Sequence, residues 1–501
     1  MNELTSHRAP WFITLFRCVI AACIFVCLVL TCVVSTNERE FLLAILGTMS
    51  LVVVSIPLFL WRDFNLFEPL TLVILLVLFG TPFRIIYALG THATDPRVAS
   101  HVLFNQQPET LLAGVLIVVT GLVLFIVGYM MNLPTSPVTP FFLPHINEWN
   151  GRRMQLVFVI VGAISLICFI GFILVAGVNF SDMSEKRFGD SRAEGSNRIM
   201  SPKYYLYRGA AFSKFIVYFG LVWLYYKKKP LVSWTGATIA VFLLQTILLS
   251  FILDSRSGVI LILVDCLILY YFLNKTISFR LVGACVAITV LLTIPMLATR
   301  GGSEKESPLN EVVKKTLTGR NMLDIAKTCH IINGVPKKME HRNGEMLYAW
   351  MAAPIPKSIL PNKPNWSNQG VYLNQHIFGH KGDLSGCPPG LIGELYWDFG
   401  KFGVWIGLFI SGLVFRQIFL GFRKHQDNPT CILIYTMIVS RFVMFSLGND
   451  FGTGVVKAGL DLVPLYMIIF FIGMHREPLQ ETSAEPSLIG EGSRNSLEMA
   501  S

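Results

Sequence analysis

Six cations stand where a membrane-spanning segment should not carry them: Arg84, Lys214, Arg441 and Lys457 fall inside long apolar runs, and Arg256 and Arg300 mark the ends of two others. An ionisable group inside a bilayer costs several kcal/mol, so each needs a partner or a use. A guanidinium is permanently charged and presents a planar fork that matches phosphate oxygens. Several together suit a lipid-linked phosphate or pyrophosphate, and would stabilise pyrophosphate as it leaves in a transfer reaction. Snorkelling to the interface accounts for any single one, as it does for Arg17 at the inner end of its run. It accounts less well for six that approach one face. Asp265, near the middle of its run, is expected to form a structural ion pair with another span.

A further set lies in the polar segment 179–208, which holds Lys186, Arg187, Arg192, Arg198, Lys203 and Arg208 against Asp182, Glu185, Asp190 and Glu194. A solvated helix with i,i+3 and i,i+4 pairs is the plain reading. An anion site built on Arg187, Arg192 and Arg198 is the sharper one. The rule that keeps basic residues in cytoplasmic loops disfavours exporting them, which argues for a use.

These residues must be positioned by a membrane bundle. Of 501 residues, 53% are hydrophobic and only 14% charged, far from a soluble average. The formal charge of +10 does not point to nucleic acid, because the basic residues lie in loops between apolar runs, where they set topology and meet anionic lipid. A span needs ~20 apolar residues. The sequence predicts twelve, at 12–34, 41–60, 69–89, 111–131, 154–177, 209–226, 231–253, 257–273, 281–298, 400–421, 430–447 and 455–474. With the N-terminus inside, the cytoplasmic loops take Arg62, Arg152 and Arg153, Lys227–Lys229, Lys275 and Arg280, and Arg416, Arg423 and Lys424. Both termini then face the cytoplasm. The chain divides into 1–298, with nine spans and the basic outer loop, a large outer segment 299–388, a last trio of spans within 389–475, and a disordered tail 476–501 rich in Ser and Glu. Of ten cysteines, only Cys329 and Cys387 lie in the large outer segment, where an oxidising compartment could join them. No Cys/His cluster has metal-ligand spacing.

The outer segment carries two ordered motifs. The run GEMLYAWMAAPIPKSILPNKPNWSNQG contains Gly344, Tyr348, Pro354, Pro356, Pro361, Lys363 and Pro364, and CPPGLIGELYWDFGKFGVWIG contains Gly393, Glu394, Tyr396, Phe399, Gly400 and Gly403. With the SRSG of Ser255–Gly258 at the start of a span, they make the chain similar to the bacterial repeat-unit polymerases of the Wzy type, which build O-antigen and exopolysaccharide. The chain departs from that pattern at Lys357, Leu360 and Asp398, where Arg, Trp and Asn are usual.

The resemblance implies an all-α, polytopic membrane glycosyltransferase with a GT-C-like fold in the bacterial inner membrane. It implies transfer of a growing glycan from undecaprenyl pyrophosphate to the non-reducing end of a lipid-linked repeat unit, at the periplasmic face and without a metal or other cofactor. A flippase and a chain-length regulator of the same pathway would be partners, alongside membrane lipids. Arg256 and Arg187 would then act with Arg192, Arg198, Arg300, Arg320, Lys214 and Arg84 on the diphosphate. Arg256 pairing with Asp254, and a flexible helix exit at Arg300 with Gly301 and Gly302, are the plainer readings. Glu394 is the first candidate to orient or deprotonate the acceptor hydroxyl, followed by Glu345 and His341; otherwise Glu394 is a carboxylate at a helix N-terminus. Tyr348, Trp350, Trp366 and Tyr372 could stack on sugar faces or pack the loop, and Glu345, Tyr348 and Trp366 are the glycan-binding candidates. The Gly393, Gly400, Gly403 and Gly407 stripe reads as close helix packing. An O-antigen ligase shares the donor chemistry, and a lipid-linked oligosaccharide flippase shares the membrane setting; a flippase should show internal repeats, and none is evident.

Overall fold

The computed structural model describes residues 10–91, 108–131, 149–176, 202–228, 230, 232–253, 256–275, 277–298, 325–352, 359–360, 369–376 and 387–473. The regular elements among them are all helical. Pro10–Val34 (α1) and Glu38–Leu60 (α2) are followed by Pro69–Gly80 (α3) and Pro82–Thr91 (α4), which together make one crossing. Next come Pro108–Met130 (α5) and Gly151–Ala176 (α6). Pro202–Ala210 (α7) and Ser213–Tyr226 (α8) again share a crossing, broken at Ala211 and Phe212. Trp234–Ile252 (α9), Arg256–Asn274 (α10) and Phe279–Ala298 (α11) lead into the polar segment 299–388. That segment contributes Ile325–Gly334 (α12), Glu345–Ala352 (α13) and Gln369–His376 (α14). The chain closes with Gly390–Arg423 (α15), Pro429–Met437 (α16), a π-helical turn at Ile438–Val443, Met444–Gly448 (α17) and Phe451–Gly473 (α18).

Among the described residues, ten crossings are long and apolar enough to span a bilayer, and Gly258–Asn274 and Arg280–Leu292 add two shorter apolar helices. These match the twelve predicted runs in order, the shorter two being the eighth and ninth. Turn chemistry sets several starts. Asn37 caps α2 by accepting from the Glu40 amide, with Glu38 and Glu40 in the positive first turn. Asn428 caps α16 ahead of Pro429.

The core has two halves. One joins α1 to α5 with α12 and the first part of α15; the other joins α6, α8, α9, α10, α16 and α18 with the last turns of α15. Within residues 299–388, α12 joins the bundle itself: it buries Ile325, Ala326 and Cys329 against α5 and α15. Cys329 and Cys387 are both buried thiols, and the disulfide considered from the sequence is not formed between them.

The tenth crossing also differs from expectation. Its helix begins at Gly390, well before residue 400, and bends at Gly400, which takes φ +66°. A side chain there would be strained, so glycine permits the bend. Packing is tight on both sides of the bend: a β-carbon on Gly403 would lie 2.5 Å from the Leu395 carbonyl oxygen, and one on Gly393 2.7 Å from Ile331 of α12. The glycine stripe is therefore used for packing.

The most extensive helix–helix contact joins α5 to α15. Its closest approach is made by Gly128 against the Phe409 carbonyl and Gly412 against the Phe125 carbonyl, where a β-carbon would collide with backbone. Gly412→Val is therefore expected to destabilise the protein by about 1–3 kcal/mol, read as a lower melting temperature in detergent. Gly459→Val, where a β-carbon would meet nothing within 4 Å, should leave it unchanged.

Candidate functional site

The second half of the bundle holds a buried charge network centred on Asp461 of α18. Its Oδ1 lies 2.6 Å from Lys214 Nζ at the start of α8 and 3.7 Å from Arg208 Nη2 at the end of α7. Its Oδ2 accepts from Arg441 Nε at 2.9 Å. Arg441 sits in the π-helical turn, a distortion that shifts its side chain relative to a regular helix. Its Nη2 reaches Asp265 Oδ2 of α10 at 3.1 Å, and Tyr218 of α8 donates its hydroxyl to the same oxygen at 2.5 Å. Asp265 is fully buried, and its partner is on another span, as expected from the sequence.

Above this network opens a cavity of about 180 Å³. Arg208, Lys214, Arg441 and Lys457 line it together with Asp461 and Tyr218, while Leu249, Leu253, Leu261 and Ile262 make its apolar wall. Lys457 places its ammonium 3.6 Å from the centre of the Phe445 ring. Four cations thus face one carboxylate at the cavity and a second, Asp265, beneath it. The excess is positive, in surroundings where water cannot screen it well. Pockets that take a whole drug-sized ligand measure roughly 300–1,000 Å³, so this space suits a single charged group with an apolar tail alongside.

Of the cations predicted inside the spans, Lys214, Arg441 and Lys457 converge here. Arg84 does not: it is buried in α4, which packs on α1, α2 and α3. Arg256 begins α10 two residues ahead of Gly258, a lining residue, and its side chain lies outside the described set. Arg187, Arg192, Arg198, Arg300, Arg320 and Trp366 lie outside the described residues, as does the tail 476–501. Asp461 was missed as the centre of the network. Its signal was an acid in an apolar run, four residues after Lys457 and so on the same helix face.

Glu394 lies elsewhere. It is buried in α15, and its Oε2 accepts from the Phe451 amide at 2.6 Å. It is thus a carboxylate at a helix N-terminus, but the helix is α18, not its own. Asp450 caps the same end, accepting from the Thr453 amide and hydroxyl. Lys457 and Asp461 lie further along α18, so Glu394 and Asp450 fix the start of the helix that carries them into the cavity.

The two motif runs pack on each other. The Arg342 and Asn343 amides donate to the Trp397 and Asp398 carbonyls, both at 3.1 Å, and the Asp398 carboxylate accepts from the Met346 amide at 3.3 Å. Glu345 is half-exposed and pairs with Arg342 at 3.0 Å. Tyr348 lies in α13, with its side chain outside the described set. Tyr372 stacks on Trp397 and on His376, with the Arg342 guanidinium over both Tyr372 and Trp397. These aromatics pack a small separate core with Ile331, Val335 and Leu373. Among the described residues, no group of three or more His, Cys, Asp or Glu is placed to hold a metal ion.

A family model described as "Putative O-antigen polymerase" matches residues 65–446, well over half of the chain, and the match spans the outer motif runs and Lys214, Asp265 and Arg441. No curated protein and no solved structure matches.

Proposed function

The chain belongs to the O-antigen polymerase family, and from that premise we propose that it lengthens O-antigen or exopolysaccharide by transferring the growing glycan from undecaprenyl pyrophosphate to a new lipid-linked repeat unit. The acceptor is the non-reducing-end hydroxyl of that unit. Its oxygen attacks the anomeric carbon of the donor's reducing-end sugar, the bond from that carbon to the diphosphate oxygen breaks, and the diphosphate leaves with the electron pair. The hydroxyl proton passes to a base or to solvent.

One observation carries the reading: the four cations drawn around Asp461 at the cavity. They are arranged before substrate arrives, with Asp461 holding three of them in place of the incoming phosphates. An oriented cation set stabilises developing negative charge without reorganising. The apolar wall from α9 and α10 suits the first isoprene units. Arg256 joins from the start of α10, and Arg187, Arg192 and Arg198 from the segment that precedes α7. In this reading the cavity faces the periplasm, the termini face the cytoplasm, no metal is used, and a flippase and a chain-length regulator act beside the enzyme.

Glu394 is a positioning residue in this scheme, since it is buried within α15 and its Oε2 accepts from the Phe451 amide at the start of α18. Glu394→Gln keeps a carbonyl acceptor for that amide and is expected to retain most chain growth. Glu394→Ala removes a hydrogen bond to a charged group, worth roughly 1.5–3 kcal/mol, and should lower both thermal stability and polymer yield. If Glu394→Gln is as inactive as an empty-vector control while fully folded, Glu394 is the base.

The whole reading is tested by incubating purified protein with a synthetic undecaprenyl pyrophosphate repeat unit. Products longer by whole repeat units are expected on a gel. Products that appear only when a lipid A core acceptor is added would make it a ligase.

A further inference from the structure

A second basic cavity lies at the opposite end of the bundle. Its residues come from the end of α2 and the last turns of α15, whereas the Asp461 network lies toward the start of α18, which meets the first turns of α15 at Glu394. The cavity measures about 290 Å³ and is lined by Leu60, Trp61, Arg62, Asp63, Glu68, Arg416 and Arg423.

Its floor is built with unusual care. The loop after α2 is held from four sides. Arg17 of α1 donates to the Leu58 and Trp61 carbonyls at 2.8 and 2.6 Å. Tyr129 of α5 donates to Glu68 Oε2 at 2.9 Å, and Arg416 of α15 reaches the same oxygen at 3.3 Å. Tyr435 of α16 donates to the Phe67 carbonyl at 2.6 Å. Arg416 is only 8% exposed, and its guanidinium stacks 4.2 Å from the Trp61 ring. Only one of its donors is committed to Glu68, and its Nε has no partner in the protein. Burial pushes the Glu68 carboxyl up to about 7, against the pull of Arg416 and Tyr129. Arg423 is 3.9 Å from the exposed Asp63, a loose pair, and Arg62 is exposed.

Beside the three guanidiniums the surface turns apolar. Leu60 is 65% exposed and Phe59 44%, on the lipid-facing side of α2. A cationic recess bordered by exposed apolar helix, with a tryptophan at the junction, matches one ligand chemistry: a phosphate group whose acyl chains follow the helix.

We propose that this cavity binds the phosphate of an anionic phospholipid in the leaflet opposite the Asp461 network, with Arg416 as the fixed contact and Arg62 and Arg423 closing on the headgroup. The lipid would hold α2, α3 and α15 at that end. Arg416 carries part of the fold, so the test uses the two outer arginines.

Purified protein is reconstituted in nanodiscs of phosphatidylcholine with or without phosphatidylglycerol, and retained lipid is counted by native mass spectrometry alongside the melting temperature. Preferential retention of phosphatidylglycerol is expected. Basic residues near an anionic surface contribute ~1 kcal/mol each, so the Arg62→Gln/Arg423→Gln variant should retain it roughly 30-fold more weakly. Lys275→Gln/Lys424→Gln removes two exposed cations at the same end of the bundle and should leave retention unchanged. Equal retention of the two lipids by the unaltered protein would overturn the proposal, as would equal losses in both double variants. Stabilisation by inorganic phosphate equal to that by phosphatidylglycerol would overturn the lipid assignment.

Discussion

Arg441→Ala is expected to remove both the folded protein and its product, and a second substitution should separate the two effects. Arg441 is the only side chain in the described network that touches both Asp265 and Asp461. Without it, Asp265 keeps the Tyr218 hydroxyl but loses its cation in a fully buried position. Breaking a buried pair from one side costs about 3–5 kcal/mol, a large fraction of a typical domain's stability. In Arg441→Ala/Asp265→Asn the stranded charge is gone, and the amide oxygen still accepts from Tyr218. Lys214 and Arg208 continue to serve Asp461. The double variant should therefore recover a monodisperse, folded profile by size exclusion and a melting temperature near the parent's. It should still make no long chains, because the guanidinium that would meet the leaving diphosphate is absent. Normal-length polysaccharide from the double variant would show that Arg441 serves the fold alone.

The span pattern was legible because it rests on length and hydropathy, which the bilayer imposes on each segment separately. The cations at the cavity were legible for the same reason: Lys214, Arg441 and Lys457 interrupt apolar runs, and each is expensive alone. What that logic could not supply was the partner. Asp461 and Asp265 both satisfy cations, yet sequence distance hides that Lys214, more than two hundred residues away, meets Asp461 at the cavity that both line. Arg84 obeyed the same rule and went to a different half of the bundle. Glu394 shows the converse. Its motif marked it as important, and its type suggested proton transfer, but the amide it accepts from belongs to another helix. A local motif records that a residue is constrained; the chain's path decides what constrains it. The early start of α15 follows from Gly400, whose positive φ lets two helices meet where hydropathy predicts a loop. The apolar face of α12 is short and was masked by the polar residues around it.

Arginines at the edge of the cavity should affect chemistry more than folding, and here the expected loss of activity is large. Arg208 stands 3.7 Å from Asp461, too far for a strong pair, and its side chain keeps 22% of its exposure. Its removal strands no charge, since Lys214 and Arg441 still serve Asp461. Arg256 opens α10 next to the cavity lining. Removing one preorganised group that stabilises developing charge typically lowers turnover by roughly 10²–10³-fold. Arg208→Ala and Arg256→Ala are each expected to fall in that range in a polymerisation assay, with melting temperatures close to the parent's. Arg187→Ala tests the segment that precedes α7 in the same way. The Lys replacements discriminate between charge and geometry. An ammonium restores the charge but not the two parallel donors of a guanidinium. Arg208→Lys and Arg256→Lys should therefore recover only a small part of the lost rate if these residues grip the diphosphate bidentately. Full recovery would mean that they act as point charges, and normal chain-length ladders from the three alanine variants would remove the diphosphate from this end of the bundle.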